Sequence, residues 1–159
     1  MTTADALFDR QLKALAMVFE DDIRPGANYE LVVEHGGQAW VSGQIPRLQG
    51  QIVCTGRVGQ DLTLEEARAG ARVSTLRALA ILRQQLGSLA RVERILRVTV
   101  YVQSAADFTQ QSEVADACSD ILYSVFAPNG GHTRTSVGVY QLPKNAALEI
   151  DLVAAVRPA

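Results

Sequence analysis

Cysteine is nearly missing from this chain, with Cys54 and Cys118 the only two. They match no metal-binding or redox spacing. Two reduced thiols suit a cytosolic protein, because disulfides follow oxidising compartments. An excess of either charge is missing too. Fifteen basic and 17 acidic residues leave a formal net charge of −2, so no overall field draws nucleic acid or an anionic membrane. There is no long apolar run. The N-terminal MTTADALFDRQLKALAMVFEDD carries acids along its length, which argues against a signal peptide or a membrane span and leaves the cytoplasm as the expected location. The glycine-rich GQIPRLQGQIVCTGRVGQ holds no GKS or GKT, so a phosphate-gripping loop is unsupported. Repeats and low-complexity tracts are absent as well.

What is present is a globular composition, 48% hydrophobic and 20% charged over 159 residues, enough for one domain with a real core. Residues 1–28 read as an N-terminal helix and linker ahead of a domain over 29–159. Leu7, Leu12, Leu15, Val18 and Phe19 repeat at helical spacing, predicting a short amphipathic helix over 3–20 that Pro25 and Gly26 end. Strands are expected over 29–34 and 38–42 with a turn at HGGQ, then a loop with a short strand. Thr63 and Glu66 have capping-box spacing. Leu64, Ala67, Ala71, Thr75, Ala78 and Leu82 follow at helical steps, with Gly87 where the helix ends. RVERILRVTVYV predicts a strictly alternating strand, with Val92, Leu96, Val98, Val100 and Val102 on one face and Glu93, Arg97, Thr99 and Tyr101 on the other. Ser104 with Asp107 predicts a second cap, and Phe108, Ala115, Cys118, Leu122 and Val125 the stripe of a second core helix. Together these elements predict an α+β fold, one mixed sheet with two long helices on one face.

The last stretch, GGHTRTSVGVYQLPKNAALEIDLVAAV, reads as a hairpin turning at Leu-Pro-Lys. Alternation directs Val137 and Val139 to the helices and Arg134, Ser136 and Gly138 to the opposite face. Leu148, Ile150 and Leu152 face the helices, while Glu149, Asp151 and Val153 face away. Arg134 and Glu149 are therefore expected as cross-strand neighbours on the bare face. That face also carries Thr99, Tyr101, Val153 and Ala155, too apolar for water and too polar for a core. A face of this kind usually meets another copy of itself, and a pocket between subunits would then hold the arginine.

VSGQIP, DLTLEEARAGARVSTLRALAIL and TRTSVGVYQLPKNAALEIDLVA resemble the Rid family, also called YjgF, the reactive-intermediate deaminases. The resemblance covers 29–156. It implies a fold similar to chorismate mutase, a homotrimeric barrel with clefts between protomers, and no metal or cofactor. The N-terminal helix is extra to the pattern and points to a divergent branch. In the deaminating branch the arginine of Arg-x-Ser grips the carboxylate of a small imino or enamino acid, and that position is Arg134. Guanidinium suits the task, because its planar fork matches a carboxylate. The family's glutamate falls on Glu149, to handle the attacking water. Its tyrosine falls on Tyr29, and Ser42, Gly43 and Ser136 would line the pocket. The sequence departs from the pattern at Ser136, a cysteine in many deaminating members, at Ser112, an asparagine there, and in the longer APNGGHT segment.

The implied function is hydrolysis of 2-imino or 2-enamino acids to 2-keto acids and ammonia. The alternatives are a trimer that only binds small carboxylates, and an endoribonuclease, which the acidic balance disfavours. Beside these roles stand plainer ones. Arg134 and Glu149 can form an interface ion pair, and Tyr29 can be edge packing. His132 and His35 suit solvated loops and Trp40 a core or interface. Arg91, Arg94 and Arg97 split between the faces of a strand.

Overall fold

The computed structural model describes residues 3–159. The Thr3 hydroxyl accepts the Ala6 amide at 3.2 Å and opens helix α1 (Ala4–Ala14). The helix stops short of residue 20. The chain turns at Ala16, whose φ is +51°, and Val18 projects into solvent. A helix this short persists only where tertiary packing holds it. Here the anchor is Phe8, fully buried under the Arg83 guanidinium, 4.6 Å from the ring centre.

Strands β1 (Val32–His35) and β2 (Gln38–Gln44) form the expected hairpin. Gly36 and Gly37 turn it with φ of +58° and +76°, the positive pair that a tight two-residue turn needs. Strands β3 (Arg47–Leu48) and β4 (Gln51–Ile52) make a separate small hairpin. Helix α2 (Leu64–Leu86) bears out the capping box, with both the Thr63 and the Glu66 bonds formed, and ends at Gly87 in the left-handed region.

Strand β5 (Val92–Gln103) keeps its alternation only from Val98 onward. Its register slips twice near the start, so Ile95, not Leu96, enters the core. Helix α3 (Gln111–Val125) starts later than the Ser104 signal predicts, and its N-cap Gln110 makes no side-chain bond. Ser104 spends its hydroxyl on the Val102 carbonyl, 2.9 Å away, the kind of local bond that competes with capping. Phe108 consequently lies ahead of the helix.

Strands β6 (Thr133–Val139) and β7 (Leu148–Val156) complete a five-stranded sheet in the order β1-β2-β7-β5-β6. Helices α2 and α3 pack on each other and on the sheet. The buried residues include Leu76, Leu79, Leu82, Val98, Val100, Ile121, Leu122, Ile150 and Leu152.

The last two strands are not a hairpin. β5 lies between them, parallel to β6 and antiparallel to β7. The connecting segment crosses the end of β5, where buried Gln103 accepts the Leu142 amide at 2.8 Å and donates to Asn145 Oδ1 at 2.8 Å. The phase of β6 also differs from the expectation. Arg134, Ser136 and Gly138 stand opposite Val98, Val100 and Val102, the core-facing side chains of β5, and so lie on the helix side. Thr133, Thr135 and Val137 share the bare face with Arg97, Thr99 and Tyr101. β6 is an edge strand under a polar part of α3, so its valines gain nothing by turning inward.

No helix among the described residues is long and apolar enough to cross a membrane.

Candidate active site

The residues expected to act together form two clusters on opposite faces of the sheet. The first lies in the seam between β6 and α3. One Arg134 nitrogen, Nη1, donates to Asp116 Oδ1 at 2.8 Å and to Ser119 Oγ at 3.0 Å. Nη2 reaches the Ser112 carbonyl at 3.5 Å. Among the described residues Nε has no partner, so the Nε–Nη2 edge keeps donors free for a carboxylate.

His132 belongs to this cluster and not to a solvated loop. Its Nδ1 lies 2.8 Å from the Gly130 carbonyl and its Nε2 2.9 Å from Ser119 Oγ. A carbonyl only accepts, so Nδ1 carries the proton. In the neutral ring Nε2 then accepts the Ser119 hydroxyl, whose oxygen is left to accept from Arg134. Ser136 lies 3.4 Å from Ser112 Oγ, so the two positions that depart from the family pattern meet each other.

The second cluster lies where β2 and β7 meet on the bare face. The β2–β7 register slips between Val41 and Gln44, which leaves Ser42 and Gly43 bulged. Glu149 fills the space beside Gly43 so closely that a Cβ there would fall 2.2 Å from Oε1. Only glycine permits that seat. Burial, and then the neighbouring charge of Asp151, push the Glu149 pKa above the usual carboxylate range. Tyr101 stands opposite Glu149 on β5, and burial and Asp151 raise its pKa as well. The Ser42 hydroxyl donates to the Glu30 carbonyl at 2.6 Å. Tyr29 is 47% exposed and Trp40 54%. Trp40 lies opposite Val33 and Val153, on the bare face of the sheet.

The structure thus brings Ser42, Gly43 and Glu149 into one neighbourhood, and Arg134 with Ser136 into another. Tyr29 lies ahead of β1 and touches neither cluster by a hydrogen bond. Nor are Arg134 and Glu149 neighbours, because β5 separates their strands and their side chains point to opposite faces. Sequence reasoning missed Asp116 and Ser119. Their signal was a polar row, Ser112, Asp116 and Ser119, at helical steps on an otherwise apolar helix. Of the three arginines expected on one strand, Arg91 lies just ahead of β5 and pairs with Glu34 at 3.1 Å, while Arg94 reaches the Gly131 carbonyl and Arg97 the Thr135 hydroxyl. No group of three or more His, Cys, Asp or Glu among the described residues is placed to hold a metal ion. Both cysteines are buried, and burial raises each thiol pKa to about 11.

The model of the family described as "YjgF/chorismate mutase-like, putative endoribonuclease" matches residues 11–156. The chain belongs to this family. Protein TCP17 of Trypanosoma cruzi is 42% identical over 128 residues, which are 80% of this chain and 80% of that protein. Atu1372 of Agrobacterium tumefaciens, of unknown function, superposes with a TM-score of 0.88 at 30% identity, covering 97% of this chain and 94% of its own. E. coli TdcF, solved with bound serine, superposes with a TM-score of 0.58 at 25% identity, covering 88% of this chain and 94% of its own. The whole-chain match to Atu1372 takes in α1, while the family model begins at residue 11.

Proposed function

We propose that the protein hydrolyses small 2-imino or 2-enamino acids to 2-keto acids and ammonia, in a cleft completed by two protomers of a closed ring. The observation that carries this reading is the placement of Arg134 and Glu149 on opposite faces of one sheet. A small substrate can touch both only if each comes from a different copy. A ring of like subunits supplies that juxtaposition, and the family resemblance makes the ring a trimer.

Arg134 holds the substrate carboxylate on its Nε–Nη2 edge, while Asp116 and Ser119 keep the guanidinium from turning. Glu149 of the neighbouring copy takes a proton from water as the water oxygen bonds to the imine carbon. It returns that proton to nitrogen to give the carbinolamine. It then takes the carbinol O–H proton and passes it to the amino group as the C=O bond forms, the C–N bond breaks and ammonia leaves. The raised pKa of Glu149 suits this double duty, because a base that must also act as an acid works best near the ambient pH. Ser42 and Gly43 line the Glu149 side, and the family resemblance assigns Tyr29 to the same pocket. The chemistry calls for no cofactor. Serine bound to TdcF supports the choice of an amino-acid-like ligand.

A second reading, a binder without turnover, is favoured by Asp116, which already occupies one nitrogen of Arg134. Endoribonuclease action has less support, since Arg91, Arg94 and Arg97 are engaged within the protein and the net charge is −2.

The test generates 2-imino acids with an amino-acid oxidase and follows keto-acid release with and without the protein. The proposal expects acceleration that falls about 10²-fold or more in Arg134→Ala and in Glu149→Gln. No acceleration, or equal acceleration by Arg134→Ala, removes it. Keto-acid binding by calorimetry without any turnover selects the binder.

A further inference from the structure

Among the described residues, Arg77 of α2 is the one charged residue that the fold buries, at 7% exposure. A guanidinium out of water is costly unless its donors are met. Nε donates to Gln44 Oε1 at 3.2 Å. Nη1 donates to Glu20 Oε2 at 3.1 Å and to the Arg47 carbonyl at 3.3 Å. Burial pulls the Arg77 pKa down, and Glu20 works against that.

Both partners reach further. The other Glu20 oxygen accepts the Gly50 amide at 3.1 Å, and the nearby Val18 carbonyl accepts from Gln49 at 3.0 Å. The segment after α1 is thus tied to the β3–β4 hairpin. On the other side, Gln44 Nε2 donates to the Ser42 carbonyl at 3.0 Å. Ser42 and Gly43 are the residues bulged out of register with β7, and the Glu149 carboxylate rests against Gly43. One chain of hydrogen bonds therefore runs from the N-terminal segment, through the sheet, to the wall of the Glu149 seat.

We infer that Arg77, with Glu20 as its counter-ion, is the positioning residue for Glu149: through Gln44 it fixes the Ser42–Gly43 bulge against which the carboxylate sits. The segment between α1 and β1 thereby becomes part of the site's framework. The catalytic consequence rests on the deaminase reading. The geometric one does not.

Arg77→Lys is the informative change. It keeps the charge but loses the fork that meets three acceptors at once, so a change at Glu149 reports position and not the loss of a nearby cation. The groups beside Glu149 are Asp151 on its own strand and Tyr101 on β5. These are untouched, and β2 contributes the uncharged Ser42 and Gly43. Carbon-13 NMR of the full chain then reads the Glu149 carboxyl titration. The expected result is a midpoint that falls from its raised value toward the ordinary range, as the bulge relaxes and water enters. With it, kcat falls about tenfold or more, while KM stays within about twofold because Arg134 lies in the other cluster. Glu20→Gln, a change at a partly exposed residue, should lower kcat in the same direction. Glu20→Asp should restore most of it.

An unchanged Glu149 midpoint in folded Arg77→Lys overturns the inference. So does a kcat within about twofold of wild type in both Arg77→Lys and Glu20→Gln. If the wild-type protein shows no turnover, the deaminase reading fails and the NMR midpoint alone decides this one.

Discussion

The two clusters differ in what restrains them. In the β6–α3 seam the restraint is a side-chain network. Arg134 is steered by Asp116, Ser119 and the Ser112 carbonyl, and behind Ser119 stands His132. It sits on an edge strand, the residue ahead of it and one helix face, where Asp116 is half exposed. At the β2–β7 junction the restraint is the backbone. A bulge in one inner strand, a glycine at its apex and a buried arginine beneath it shape the space that Glu149 fills. The first arrangement suits a group that must accommodate ligands, and the second a group that must stay put while a proton moves. A charged clamp can be held by exchangeable hydrogen bonds. A base with a shifted pKa needs fixed surroundings that keep water away.

Gly43→Ala should expose that difference most sharply. The new Cβ would fall 2.2 Å from Glu149 Oε1 and 2.9 Å from Cδ, so the carboxylate must leave its seat. Turnover should drop about 10²-fold while calorimetric affinity for a keto acid changes little, because Arg134 is undisturbed. Equal losses in both would show that the clusters are not separable.

The smaller test is at the seam. Asp116→Asn keeps an oxygen that can accept from Arg134 Nη1 but removes the negative charge beside an anion site. Keto-acid affinity should rise roughly threefold, the size of one unit-charge repulsion across about 6 Å in a water-like medium. Weaker binding would mean that the ion pair itself, and not its geometry, prepares the guanidinium.

The smallest effect is on stability. The folded-state pKa of Glu149 is raised above its unfolded value, so its contribution favours folding below the ordinary carboxylate range and is lost as pH rises through the folded value. Glu149→Gln removes that loss. The variant's Tm should equal wild type near pH 4 and exceed it increasingly toward pH 7, as thermal unfolding at several pH values would show. A gap that opens in the opposite direction would contradict the burial account.

Local signals carried the elements, and non-local pairing decided the faces. Helix α2 was legible because its cap, its apolar repeat and its terminal glycine all lie within one stretch. Val98, Val100 and Val102 were legible because β5 is central and covered by helices. The N-terminal part of β5 was not, since a register slip moved Ile95 into the core and nothing in RVERILRV announces it. Strand β6 misled for a different reason. Its valines imitate a core face, yet at a sheet edge the parallel partner and a polar strip of α3 set the phase. Leu-Pro-Lys imitates a hairpin turn, although its strands are separated by β5. Arg134 and Glu149 could be named from the motif that carries them, but their separation could not. Arg77 gave no signal, because its partners lie on three segments distant in sequence.

The central claim is that one working site takes its arginine and its glutamate from different protomers. It is tested most directly by mixing. Arg134→Ala and Glu149→Gln chains, each inactive alone, are unfolded together in equal amounts, refolded and assayed for imine hydrolysis. Random assembly gives each cleft an even chance of an intact arginine and an even chance of an intact glutamate, so activity should return to about a quarter of wild type. Recovery near that level supports the shared cleft. A mixture that reassembles to the wild-type mass and stays as inactive as its parents contradicts it.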